Sequence, residues 1–175
     1  MRSVILYVAS SLDGFIARED GSVDWLDAYE SEDGNDYGYQ AFLDSVDTLL
    51  MGGKTYRQVL GFGPYPYSDK RGYVFTRSAS PRSDDNVEFV SGDPAAFVFG
   101  LIHAPGEDVW LVGGADIVSV LMSAGLVDEI ILTLVPEVLG GGIPLFLPGV
   151  QARLELLSHR TWHGGVVQLR YSVTR

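Results

Sequence analysis

The stretch Val109-Trp110-Leu111-Val112-Gly113-Gly114-Ala115-Asp116-Ile117 decides how the rest of the chain is read. Four apolar residues follow the polar Asp108, halt at two glycines and give way to an amphipathic segment that runs to about Ser123 and stops at Gly125. The run is too short for an independent helix and fits a buried strand that feeds one. Paired glycines allow turns and close backbone approach that side chains would block. The first turn of the following helix has free N–H groups with the helix dipole behind them, which favours an anion such as a phosphate. Taken alone, the pair is first of all a strand-to-helix turn with no ligand, because fingerprints this short recur by chance.

Working outward, Ser3 to Ala9 is a nearly continuous apolar, β-branched run, the pattern of a central strand covered on both faces. It leads into Ser10-Ser11-Leu12-Asp13-Gly14-Phe15-Ile16-Ala17, an ordered loop over the sheet built on an Asp-Gly turn. Residues 18 to 38 are polar and acidic, a loop with one helical turn at most. Tyr39, Phe42 and Val46 recur at helical spacing and predict a helix packed down before a second strand, Thr48 to Met51, which ends at Gly52-Gly53-Lys54-Thr55-Tyr56. A third strand, Tyr73 to Thr76, ends in Thr76-Arg77-Ser78. Val87 to Val90 is a brief strand, and Asp93 or Ser91 caps a helix over about 94 to 102 with Pro94 in its first turn. Val127 to Val135 is another apolar strand, Pro136 to Pro148 is a glycine-rich loop, and Leu154 to Arg160 with Val166 to Val173 form a hairpin around His163-Gly164-Gly165. This alternation predicts an α/β fold of three layers, α/β/α, with a mostly parallel central sheet and a C-terminal antiparallel hairpin.

The 175 residues, 46% of them hydrophobic, fit one globular domain over 1–175. Twelve Lys and Arg against 23 Asp and Glu leave a net charge of −11, which argues against nucleic acid or an anionic membrane as partner. Without cysteine there is no thiolate nucleophile or Cys metal site, and His103, His159 and His163 have no metal-ligand spacing. With neither a signal-peptide core nor a transmembrane run, the cytoplasm is the default location.

Three clusters, at 52–55, 76–78 and 113–116, fall at the carboxyl ends of predicted strands. Ligands of open α/β sheets bind at that edge, so together the clusters point to one elongated, phosphate-bearing ligand rather than three unrelated turns.

Leu12-Asp13-Gly14-Phe15-Ile16-Ala17, Met51-Gly52-Gly53-Lys54-Thr55-Tyr56, Val112-Gly113-Gly114-Ala115 and Val127-Asp128-Glu129-Ile130-Ile131-Leu132-Thr133 resemble, in that order, the dihydrofolate reductase-like superfamily, and within it the RibD C-terminal reductase domain of riboflavin biosynthesis. The resemblance implies a dihydrofolate reductase fold, NADPH as cofactor and a homodimer. On that basis Gly52, Lys54 and Thr55 face the pyrophosphate and the adenosine phosphate, and Thr76, Arg77 and Ser78 cradle the 2′-phosphate. Gly113, Gly114, Ala115, Asp116 and Ile117 receive the pyrophosphate at the helix start, with a cis peptide between the two glycines, and Ile16 and Ala17 lie against the nicotinamide. Trp25, Phe42 and Thr133 are the candidates for contact with a flat heterocyclic substrate, and Asp13 or Asp36 for the carboxylate that supplies a proton.

Three positions depart from the family pattern. Val112 stands where the riboflavin reductases usually carry a glutamate, and Gln40-Ala41-Phe42-Leu43-Asp44-Ser45 lacks the arginines they place near the substrate phosphate. Gly53 replaces the arginine usual in dihydrofolate reductases. The expected activity is an NADPH-dependent reduction of a pyrimidine- or pterin-like heterocycle, as in 5-amino-6-(5-phosphoribosylamino)uracil reductase. Dihydrofolate reduction and a non-catalytic NADPH-binding protein stand as alternatives, and a dimeric structural protein as a third.

Overall fold

The computed structural model describes residues 1–29, 35–77 and 84–174. In chain order the strands and helices begin with β1 (Val4–Ser11), β2 (Phe15–Ala17), α1 (Tyr39–Leu43), β3 (Val46–Gly52), α2 (Gly53–Gly61), β4 (Arg71–Phe75) and β5 (Val87–Val90). They continue with α3 (Pro94–Ile102), β6 (Asp108–Gly113), α4 (Ala115–Ser123), β7 (Glu129–Val135), β8 (Ile143–Pro144), β9 (Arg153–Thr161) and β10 (Val167–Thr174). A 3-10 turn covers Asp24–Tyr29.

Eight strands form one sheet in the order β5-β4-β3-β6-β1-β7-β10-β9. The pairs from β5 through β7 are parallel, and the β7–β10 and β10–β9 pairs are antiparallel. Side chains alternate across a strand, so each inner strand feeds two cores. Leu50, Leu6 and Leu111 face α3 and α4, where they pack with Val98, Ile102, Val118 and Leu121. Leu49, Met51, Ile5 and Trp110 point the other way, toward Phe42 of α1 and Tyr56 of α2. This is the expected α/β architecture with a parallel centre and an antiparallel end.

Local chemistry sets the boundaries. The Asp93 carboxylate accepts the Ala95 N–H at 2.9 Å and starts α3 with Pro94 in its first turn. α4 stops where Gly125, at φ 66°, donates to the Met122 carbonyl while Leu126 donates to that of Leu121. The helix predicted over Tyr39 to Val46 is shorter than expected: Ser45 donates from both its N–H and its Oγ to the Phe42 carbonyl, and the fully buried Val46 opens β3 instead. The glycine-rich loop after β7 holds a short strand that its composition does not reveal, β8 paired antiparallel with β2.

The topology opens a crevice at one place. β3 and β6 are neighbours, yet the chain leaves β3 through α2 toward β4 and leaves β6 through α4 toward β7, on opposite faces and in opposite directions across the sheet. Such a switch in strand order leaves the carboxyl ends of the two strands uncovered.

Candidate functional site

Gly52 and Gly114, the residues that start α2 and α4, meet in that crevice. A Cβ on Gly52 would lie 3.9 Å from the Gly114 nitrogen, and one on Gly114 would lie 3.3 Å from Thr55 Oγ1. The Gly113–Gly114 peptide is cis, and Gly113 has a φ of 126°, a conformation that side chains disfavour. Neither helix start carries a side-chain cap, in contrast to the Asp93 cap of α3. Two sets of first-turn N–H groups are thus left for a ligand, and the glycines let it approach the backbone. These features fit a pyrophosphate.

Below this mouth lies a cleft of about 310 Å³. It is lined by β1 from Leu6 to Ala9, Trp110 and Val112 of β6, Thr55, Gln58 and Val59 of α2 and Val118 of α4, with Ile16 of β2 and Leu145 beside them. Among the described residues, Tyr7 is the only ionisable side chain in this lining. Burial raises the Tyr7 pKa against a weaker opposing effect from Gln168, so the phenol is protonated at neutral pH. The Tyr7 hydroxyl donates to the Tyr37 carbonyl at 3.4 Å, and Gln168 Nε2 donates to Tyr7, Tyr37 and Thr133.

Of the residues singled out from the sequence, Ile16, Thr55, Gly113 and Gly114 line the cleft and Gly52 abuts its mouth. Lys54 is exposed on the first turn of α2; Thr76 and the exposed Arg77 follow the adjacent β4, where Thr76 N–H donates to the Val90 carbonyl. Ser78 lies outside the described residues. Ala115 and Ile117 are buried and Asp116 is exposed in the first turn of α4. Ala17 is buried against β8.

The remaining candidates lie outside the lining. Phe42 is buried and stacks on Tyr7 at 4.4 Å, Trp25 is buried in the 3-10 turn, and Thr133 accepts from Gln168 at 3.1 Å. Asp36 accepts the N–H groups of Gly38 and Gln40 at the start of α1, and the Gln40 bond comes first among those that hold its pKa below the usual carboxylate value. Asp13 accepts from Ser11 Oγ at 2.7 Å and from the N–H groups of Leu139 and Gly140 at 3.0 and 2.8 Å. The Ser11 bond is foremost in lowering its pKa.

Asp13 thus fastens the β1–β2 turn to the loop before β8, alongside Leu12 N–H to the Glu137 carbonyl and Leu145 N–H to that of Gly14. Sequence reasoning missed Tyr7 and Val59; Tyr7, polar in the middle of an apolar strand, was the available signal for the first. Among the described residues no cluster of His, Asp or Glu could hold a metal ion, and no helix is long and apolar enough to cross a membrane.

Comparison with known proteins gives the family and the fold. Residues 2–168 match the family model described as the RibD C-terminal domain. YwjB, an uncharacterized protein of Bacillus subtilis (strain 168), is 43% identical over 171 residues, 97% of each chain. A solved structure from Shewanella sp. PV-4, named provisionally as a riboflavin biosynthesis protein, matches with a TM-score of 0.89 at 29% identity over 99% of both chains. Dihydrofolate reductase from Enterococcus faecalis, solved in complex with NADP(H), shares the fold with a TM-score of 0.72 at 15% identity, over 99% of this chain and 97% of that one. The chain belongs to the RibD C-terminal domain family and has the fold of the dihydrofolate reductases.

Proposed function

We propose that the protein is an NADPH-dependent reductase of a flat, uncharged heterocycle of the pyrimidine or pterin type, working as a homodimer. The observation that carries this reading is the meeting of two uncapped, glycine-started helices at the mouth of an apolar cleft on the carboxyl edge of β3 and β6. The helix starts and Thr55 hold the pyrophosphate. Bound NADPH supplies a hydride, which needs positioning and dryness more than covalent help. Ile16 and Leu145 add apolar surface to the cleft, and Asp13 ties together the loops that carry them. Tyr7 lines the cleft, and its protonated hydroxyl, bonded to the Tyr37 carbonyl and Gln168, is the group assigned to proton transfer. Among the described residues the lining holds no arginine or carboxylate, and Val112 stands in it, which favours an acceptor without a phosphate held there by charge.

Homodimerisation has separate support. Every residue of β9 is exposed at the sheet edge, with Leu154, Leu156 and Leu157 at 38, 49 and 50%. A standard interface removes about 800 Å² per partner.

The test is thermal stabilisation by NADPH and NADH, followed by NADPH oxidation with dihydropteridines, aminouracils and their phosphoribosyl forms. Stabilisation by NADPH with turnover of an uncharged ring supports the reading. No stabilisation by millimolar nucleotide refutes it. Binding without turnover of any ring would make the protein a cofactor-binding member of the family.

A further inference from the structure

Gly53 leaves a gap beside the phosphate-facing turn after β3, and the structure shows what occupies it. A Cβ on Gly53 would lie 3.6 Å from Arg57 Nη1 and 3.8 Å from the Phe75 carbonyl oxygen at the end of β4. Arg57 is one helical turn further along α2. Helical side chains lean toward the N-terminus, so its guanidinium folds back over the space that a longer residue at 53 would use, between the ends of β3 and β4. Arg57 is exposed, and no carboxylate pairs with it among the described residues, although the chain carries 23 acidic groups against 12 basic ones. Lys54 and Arg77 are exposed at the same edge.

We propose that Arg57 binds the phosphomonoester on the adenosine ribose of NADPH, in place of a side chain at position 53, and thereby sets the preference for NADPH over NADH. The inference rests on the cofactor reading above. A phosphomonoester is a near-dianion that a planar guanidinium can bind with two parallel hydrogen bonds, whereas the corresponding hydroxyl of NADH offers no such charge. Gly53 has an unstrained backbone and only ordinary contacts around its Cβ, so an arginine can be moved to that position once Arg57 is shortened.

Calorimetric titration of NADPH, NADH and 2′,5′-ADP into wild type, Arg57→Ala and the double variant Gly53→Arg/Arg57→Ala tests this without any substrate. Arg57→Ala is expected to weaken NADPH and 2′,5′-ADP about 10- to 100-fold and to leave NADH within about twofold, as for loss of one charged hydrogen-bonding group. The double variant is expected to recover most of the loss. Equal weakening of both dinucleotides, or no weakening of either, overturns the role of Arg57 while the cofactor reading stands. Wild type that binds neither dinucleotide overturns the cofactor reading itself and this inference with it.

Discussion

Replacing Gly142 by alanine probes how the cleft is covered. Gly142 has a φ of 142°, and a Cβ there would lie 2.2 Å from the Ala17 carbonyl oxygen and 3.3 Å from its carbon, both backbone atoms of β2. No side-chain rotation relieves that overlap, so β2 must move away from β8. Backbone strain at such a φ costs about 1–3 kcal/mol and forced displacement in a packed region about 1–3 more. The sum, about 2–6 kcal/mol, corresponds to a fall in Tm of roughly 5–16 °C for a chain of this length. Gly140 is the control, with a φ of 72° and open space around its Cβ, so Gly140→Ala carries only the conformational cost of about 1–2 kcal/mol. Because β2 presents Ile16 to the cleft, Gly142→Ala is also expected to weaken NADPH binding, and Gly140→Ala is not. Calorimetric melting and nucleotide titration of both variants give the answer. Equal Tm values for the two, or a Gly142→Ala protein with wild-type NADPH affinity, would refute the proposed coupling of loop, β2 and cleft.

Three further outcomes are expected. Thr55→Val keeps the side-chain shape and removes the hydroxyl beside Gly114; NADPH affinity should drop about tenfold with Tm unchanged, as measured by titration and melting. Asp13→Asn should lower stability at pH 7, and the deficit should close under acid. The folded pKa of Asp13 lies below its unfolded value, so its contribution is complete above about pH 4 and fades as pH falls through the folded value; melting curves of both proteins from pH 7 to pH 3 check this. Leu156→Arg places a charge on the exposed face of β9, and light scattering should show a monomer where wild type is a dimer; a monomeric wild type would contradict the interface.

How much of this was legible in the sequence depended on how local the signal was. Val109 to Ile117 announced β6, the glycine turn and α4 because an apolar run, two glycines and an amphipathic run are each readable from neighbours alone. Val46 was ambiguous, since it shares helical spacing with Tyr39 and Phe42 and yet is a β-branched residue fully buried in β3. Asp13 read as a turn or an acid because its partners, Leu139 and Gly140, are more than 120 residues away. The strand at Ile143–Pro144 is too short to have a period, and only its pairing with β2 defines it. Arg57 is a different case: its relation to Gly53 is four residues along a helix and could have been read once the start of α2 was placed.

A crystal structure of the protein soaked with NADPH tests the central claim most directly. The expected result is the pyrophosphate against the N–H groups at the starts of α2 and α4, the nicotinamide in the cleft beside Ile16, and a ring-sized space left over Tyr7. A nucleotide bound elsewhere, or none bound at millimolar concentration with these helix starts open to solvent, would contradict the account.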